Sequence, residues 1–154
     1  MGQSRTAAVA LGSNLGERQA HLAHAVTRLS SLLTEVTVST FIENPPEHGA
    51  PGPPFLNGVL VGQTGFTARS LLETLLLIEQ ERGRERGELG APRTLDLDLV
   101  LLGDLVVDEP GLQLPHPRFR ARPFVLGPLA ELAPTLVDPV SGLTVAALHA
   151  RLSE

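Results

Sequence analysis

The segment Leu95-Asp96-Leu97-Asp98-Leu99-Val100-Leu101-Leu102 decides the fold. Leucines at 95, 97 and 99 alternate with carboxylates at 96 and 98, the period of a strand with one apolar face, and the segment ends in an unbroken apolar run. Gly103-Asp104 then begins a turn into residues 105–107. Upstream, residues 67–82 place Ala68, Leu71, Leu72, Leu75, Leu76 and Ile78 at helical spacing. Residues 55–64 read as a strand, and so do residues 35–41, where Val36 and Val38 alternate with polar positions. Residues 16–33 carry Ala20, Leu22, Ala23, Val26, Leu29, Leu32 and Leu33 at helical spacing. Residues 6–11 (TAAVAL) are a buried strand, followed by a Gly12-Ser13-Asn14 turn with Asn14 as a helix cap. Downstream, residues 123–133 form a short helix with proline in its first turn, Ser141-Gly142 a turn, and residues 145–152 a closing helix. The order is β-α-β-β-α-β with a small tail. This is an α+β, ferredoxin-like core: a mainly antiparallel sheet with helices on one face and a short C-terminal hairpin/helix extension. Such a fold hosts enzymes, carriers and regulatory modules alike, so function has to come from the side chains.

Composition narrows the chemistry. The 154 residues are expected to form one domain, 1–154, large enough for a single apolar core. There is no cysteine, hence no disulfide, thiolate metal site or thiol nucleophile. All 12 basic residues are arginine, which excludes a Schiff-base lysine and the lysine of a standard phosphate-binding P-loop. A formal net charge of −5 argues against nonspecific nucleic-acid binding. No apolar run reaches the ~18 residues of a membrane span, and no secretory signal pattern opens the chain. A cytoplasmic location is expected.

Three features carry chemistry. Asp96 and Asp98 share one strand face, where their charges repel. A divalent cation such as Mg²⁺, bound together with substrate phosphates, would remove that repulsion; a solvated acidic face would tolerate it. Arg82, Arg84, Arg86 and Arg93 precede the acidic strand and Arg118, Arg120 and Arg122 follow it. Arginine forks match phosphate oxygens, although each one singly is as well explained by pairing with Glu79, Glu81, Glu85 or Glu88. Taken together, carboxylates and arginines suggest phosphoryl transfer. Third, His116 stands between Pro115 and Pro117, close to the three downstream arginines, and is either a phosphate donor or a structural histidine. His21, His24, His48 and His149 have no metal-ligand spacing and no assigned role. Residues 44–54 (NPPEHGAPGPP) hold five prolines and two glycines and cannot be helix or central strand, so they form a loop beside a site.

With these residues in place, the chain resembles the 6-hydroxymethyl-7,8-dihydropterin pyrophosphokinase family. The likeness runs through LGSNLG at 11–16, NPP at 44–46, Phe55-Leu56-Asn57, the segment 78–84, APRTLDLDLVLLG at 91–103 and LPHPRFRARPFVLGPLAELAP at 114–134. It implies transfer of a pyrophosphoryl group from ATP to the hydroxymethyl of the dihydropterin in folate biosynthesis, leaving AMP, with two Mg²⁺ bridging the triphosphate. By match to the family's motifs, Asp96 and Asp98 hold the metal, and Arg84 and Arg93 join them as catalytic residues that clamp phosphates. Arg84, Arg86, Arg93, His116 and Arg122 bind ATP. Asn44, Pro45, Glu47, Phe55, Asn57, Asp96 and Phe124 bind the pterin, with Asn57 on the ring edge and Phe124 stacked on its face. Glu79 matches an acidic position at the back of the site. Independently, a flat polar heterocycle calls for in-plane hydrogen bonds, which an asparagine supplies, and for aromatic faces. The protein is expected to act as a monomer on these two small molecules, without nucleic acid or membrane.

The chain departs from the family's pattern in the catalytic loop, where 86–91 reads RGELGA without the frequent tryptophan and lysine. Pro117 also follows the histidine where an aromatic is common. Two alternatives stay open on the residues alone: a ferredoxin-like module that binds a nucleotide without turning it over, and a divergent relative that binds pterin without transfer.

Overall fold

The structure is a computed structural model, and it describes residues 4–84 and 94–153. The long strand β4 (Phe55–Thr64) lies at the centre of the sheet. It pairs antiparallel with β1 (Arg5–Ser13) on one side, and with β2 (Thr34–Val38) and the short β3 (Ile42–Asn44) on the other. Strand β5 (Asp96–Leu102) pairs antiparallel with the outer side of β1, giving the order β2-β4-β1-β5. Helix α1 (Arg18–Leu32) connects β1 to β2, and helix α2 (Ala68–Glu81) connects β4 to β5. The ferredoxin-like core expected from the sequence is therefore present.

On the first sheet face, Ala7, Val9, Leu11, Leu60, Leu97 and Leu99 pack against Leu22, Ala25 and Leu29 of α1 and Leu71, Leu75 and Ile78 of α2, all buried. The helical spacing in α2 matches this use, and its start is set by Thr67, whose hydroxyl accepts from Ser70 N–H at 3.1 Å. A register shift between Ala8 and Val9 against β5 keeps Leu99 and Leu102 on this face and sends Val100 and Leu101 to the other.

The extension is more than a tail. After the hairpin β6 (Val107–Glu109) and β7 (Leu112–Leu114), helices α3 (Pro123–Leu132) and α4 (Val145–Arg151) lie across the second sheet face. Val125, Leu126, Leu129, Val145 and Leu148 bury Ala8, Val59, Val61, Val100 and Leu101 there. The turn before α4 is locked by Asp138, which is fully buried and takes hydrogen bonds from Arg120 Nε at 2.6 Å and Nη2 at 2.9 Å, from Ser141 Oγ at 2.7 Å and from Val140 N–H at 3.0 Å. These donors hold its carboxyl well below the usual carboxylate range despite burial.

Three local expectations are corrected. Gly12 and Ser13 are not a turn but the end of β1, paired with Asn57 and Leu56. Asn14 does not cap α1, whose N-terminal flanking residue Glu17 makes no side-chain cap. The amide of Asn14 instead reaches the proline-rich loop, donating to the Pro53 carbonyl at 3.1 Å, and α1 begins four residues later at Arg18. The strand expected over 35–41 stops at Val38 and resumes as β3, since Ser39 leaves the ladder and bonds Val59 through both backbone and hydroxyl. Asn44 ends β3, and from Pro45 to Pro54 the segment is a loop as expected, with one 3-10 turn at Glu47–Gly49.

Candidate active site

Helix α3 covers the second sheet face only in part. The rest is the floor of a cavity of about 630 Å³, within the range of small-molecule sites. The sheet register decides which side chains meet on this floor. Gly12 of β1 lies opposite Asn57 of β4 and opposite Asp96 of β5, and Ala10 lies opposite Val59 and Asp98. Directly opposed residues of antiparallel strands share a face, so Asn57 and the two carboxylates stand on either side of a central strand that carries only a glycine and an alanine. Phe55 follows two residues before Asn57 on the same face, and Phe124 of α3 joins the lining.

One side of the cavity is the 44–54 loop, through Pro45, Pro46, Glu47, His48 and Ala50. Asn44 is not in the lining; its side-chain N–H donates to Asn57 Oδ1 at 3.2 Å and so supports that residue from behind. Glu47 accepts a two-pronged contact from Arg122, at 3.2 Å from Nε and 2.8 Å from Nη2. Arg122 also lies 3.7 Å from Asp98 and over the Phe124 ring, 5.5 Å from its centroid. A single guanidinium thus links the proline-rich loop, the acidic strand and an aromatic wall.

The other side is acidic and basic together. β5 is an edge strand, so its Leu97 N–H needs a partner, and buried Glu79 of α2 accepts it at 2.7 Å. Glu79 also accepts from Arg84 at 2.9 Å, and Arg84 donates to Asp96 at 2.8 Å and to the Leu95 carbonyl at 3.1 Å. These contacts anchor Arg84 at the head of the strand. His116 N–H bonds the Val100 carbonyl at 2.9 Å, which holds the histidine beside β5. Its Nδ1 accepts from Arg118 N–H at 3.1 Å, so the neutral ring carries its proton on Nε2. Burial, and then the nearby Arg122 and Arg118 charges, push its pKa down to about 4. A second cavity of about 650 Å³ shares Asp98, His116 and Arg118 with the first and continues past Leu99, Pro110 and Pro117.

Asp96, Asp98, Arg84, His116, Arg122, Pro45, Glu47, Phe55, Asn57 and Phe124 therefore line one cavity, as the sequence grouped them. Arg86, Arg93 and the RGELGA segment lie outside the described residues. Arg120 is removed from the arginine group by its pairing with Asp138. Arg118, grouped by sequence but given no place in the site, lines both cavities, and His48, given no role, lines the first. Gly12, expected in a turn, lines the cavity instead; its register against Asn57 and Asp96 leaves no signal in the LGSN string.

Among the described residues no three or more His, Cys, Asp and Glu gather as a metal cage. Asp96 and Asp98 are a two-carboxylate, oxygen-only donor set facing an open cavity, with side chains 22% and 34% exposed. Such a set suits Mg²⁺, which binds through one or two carboxylates and completes its shell with water and substrate phosphates.

Residues 8–134 match the family model described as 7,8-dihydro-6-hydroxymethylpterin-pyrophosphokinase. A 2-amino-4-hydroxy-6-hydroxymethyldihydropteridine pyrophosphokinase of Synechocystis is 42% identical over 144 residues, covering 93% of this chain and 74% of the relative. The protein of the same name from Pseudomonas aeruginosa is 43% identical over 133 residues, covering 85% and 82%. Among solved structures, wild-type Plasmodium falciparum HPPK-DHPS superposes with a TM-score of 0.74 at 13% identity, covering 98% of this chain. This chain spans 45% of that longer one, a likeness of fold. With the family model covering most of the chain, and relatives this similar over most of their length, the chain belongs to the 7,8-dihydro-6-hydroxymethylpterin-pyrophosphokinase family.

Proposed function

We propose that the cavity on the second sheet face is where this chain carries out its family's reaction. The chain is a pyrophosphokinase of folate biosynthesis: it moves a pyrophosphoryl group from ATP to 6-hydroxymethyl-7,8-dihydropterin and releases AMP. The observation that carries the assignment to this cavity is the register at Gly12. It sets an amide and an aromatic ring on one side of a bare strand, and two carboxylates with arginines on the other.

The pterin occupies the Asn57 side. Asn57 reads the ring edge with donor and acceptor, and Phe55 and Phe124 supply the faces. Pro45 and Glu47 close the loop side of the ring. ATP runs from the shared wall into the second cavity, where Leu99, Leu112, Pro110 and Pro117 offer apolar contacts to a base and Asp108, Glu109 and Gln113 offer polar ones. His116, neutral with its proton on Nε2, donates to a phosphate oxygen, and Arg84, Arg122 and, from the loop, Arg86 and Arg93 neutralise phosphate charge. Asp96 and Asp98 would hold the Mg²⁺ ions accompanying the triphosphate; bound metal supplies charge neutralisation of the transferring group. The pterin hydroxyl oxygen attacks the β-phosphorus in line as the bond to the AMP oxygen breaks. The chain contributes chiefly positioning and electrostatics. Arg122 gives Nε and Nη2 to Glu47 and keeps Nη1, 3.7 Å from Asp98, for phosphate, so one guanidinium ties the proline-rich loop to the nucleotide.

We further read residues 1–154 as one domain acting as a cytoplasmic monomer. Its continuous sheet supports the single domain, and among the described residues no helix is long and apolar enough to cross a membrane.

The test is AMP release from ATP and Mg²⁺, with and without the dihydropterin. AMP that needs both pterin and metal is expected. AMP without pterin, or pterin binding without AMP, would replace the reading with a hydrolase or an inactive binder.

A further inference from the structure

Gly12 takes no part in the chemistry above, yet it sits where both halves of the site meet. Its φ is not positive, unlike those of seven other glycines, so backbone freedom does not explain it. Space does. A Cβ at position 12 would lie 2.8 Å from Asn57 Nδ2, 3.3 Å from Phe55 Cδ1 and 3.8 Å from Phe55 Cε1. The first distance is shorter than a carbon–nitrogen contact tolerates, and these are the three nearest atoms among the described residues beyond its chain neighbours. The intrusion is therefore one-sided: no atom of Asp96, the partner across the other edge of β1, is closer. Asn57 has little room to withdraw, because its Oδ1 accepts from Asn44 and its backbone is paired on both edges with Gly12 and Ile42.

We infer that Gly12 is a specificity-determining residue of the pterin half of the site. Its missing side chain lets the Asn57 amide and the Phe55 ring lie down against the floor of the sheet. Any side chain there lifts both and discriminates against the flat heterocycle while sparing the nucleotide. The inference rests on the pterin reading of this cavity and adds to it the residue that sets how deep the ring can sit.

The experiment is calorimetric titration of wild type, Gly12→Ala and Gly62→Ala with a non-hydrolysable ATP analogue in Mg²⁺, and then with 6-hydroxymethyl-7,8-dihydropterin in the presence of the analogue. Gly62 is the control: it is also tight, though less so, with a Cβ 3.1 Å from Leu33 Cβ and 3.2 Å from the Thr34 carbonyl, and it lies on the first sheet face. Overpacking of this size should weaken pterin binding by Gly12→Ala about 10-fold or more, with analogue affinity within about twofold of wild type. Gly62→Ala should lower the melting temperature and leave both affinities unchanged. Unaltered pterin affinity in Gly12→Ala, or equal loss for both ligands, would overturn the inference. Wild type that binds the analogue but not the pterin would instead overturn the reading beneath it. If Gly12→Ala folds poorly, the pair Asn57→Ala and Gly12→Ala/Asn57→Ala decides. Because the methyl acts through Asn57, it should add less than about twofold once that side chain is gone. A full further loss would show that Gly12 acts by another route.

Discussion

The two faces of the sheet are built from the same strands and do opposite things. On the α1/α2 face, Ala7, Val9, Leu11, Leu60, Leu97 and Leu99 meet helices along their length, and the contact is apolar. On the α3/α4 face, the strands start in the same manner, with Ala8, Val59, Val61 and Val100 buried, and then change character to Gly12, Asn57, Asp96 and Asp98 where α3 no longer covers them. Alternation within a strand sorts residues between faces but does not reveal how far each face is covered. Here the uncovered end of one face is the proposed site, and the covered remainder is packed core.

The sharpest way to break this comparison is to remove a carboxylate from the open end. Asp98→Ala should lower turnover about 10³-fold, the size of losing a principal electrostatic contact to the reacting groups. It should change the urea midpoint little, because the side chain is one-third exposed. Near-normal turnover would mean that the acidic pair is not part of the chemistry. The reverse substitution on the apolar face is Leu75→Ala. Leu75 is fully buried, so the variant should lose about 2–5 kcal/mol of stability by urea unfolding while keeping ordinary KM values wherever it is folded. A large change in KM for either substrate would mean that the two faces are not separable.

The smallest expected effect concerns protonation at the seam between core and site. With its pKa pushed down to about 4, His116 stays neutral from pH 8 to pH 6, and ATP affinity should show no His116-dependent change across that window. In the unfolded chain the ring takes up its proton near the ordinary value of 6.5. Its contribution to stability is therefore complete above about pH 6.5 and declines as pH falls toward 4. Unfolding titrations of wild type and His116→Gln should diverge above pH 6.5 and converge below it. A difference constant from pH 7 to pH 4 would contradict a buried neutral ring.

Much of the site was legible because its residues lie in continuous segments. Asp96 and Asp98 are two apart on one strand, and Phe55 and Asn57 are two apart on another, so sharing a face follows from the strand period alone. Pairing between segments was not legible. Arg120 stands between Arg118 and Arg122 and looks equivalent to them, yet the buried Asp138 carboxylate turns it away from the cavity. Asn14 has the residue type and place of a helix cap but is taken by the Pro53 carbonyl. The arginine that links both halves of the site finds Glu47, 75 residues away.

By itself, then, the sequence determined what short-range periodicity and residue chemistry can encode. That is the strand and helix order, the apolar first face, the acidic pair and the family motifs. Only the tertiary structure decided that the C-terminal helices cover half of the second face and leave the rest open. It also set Gly12 between Asn57 and Asp96, and determined which arginines turn inward. Those outcomes depend on the register of strands distant in sequence and on competition among well-separated charges, and neither leaves a local signature in the chain.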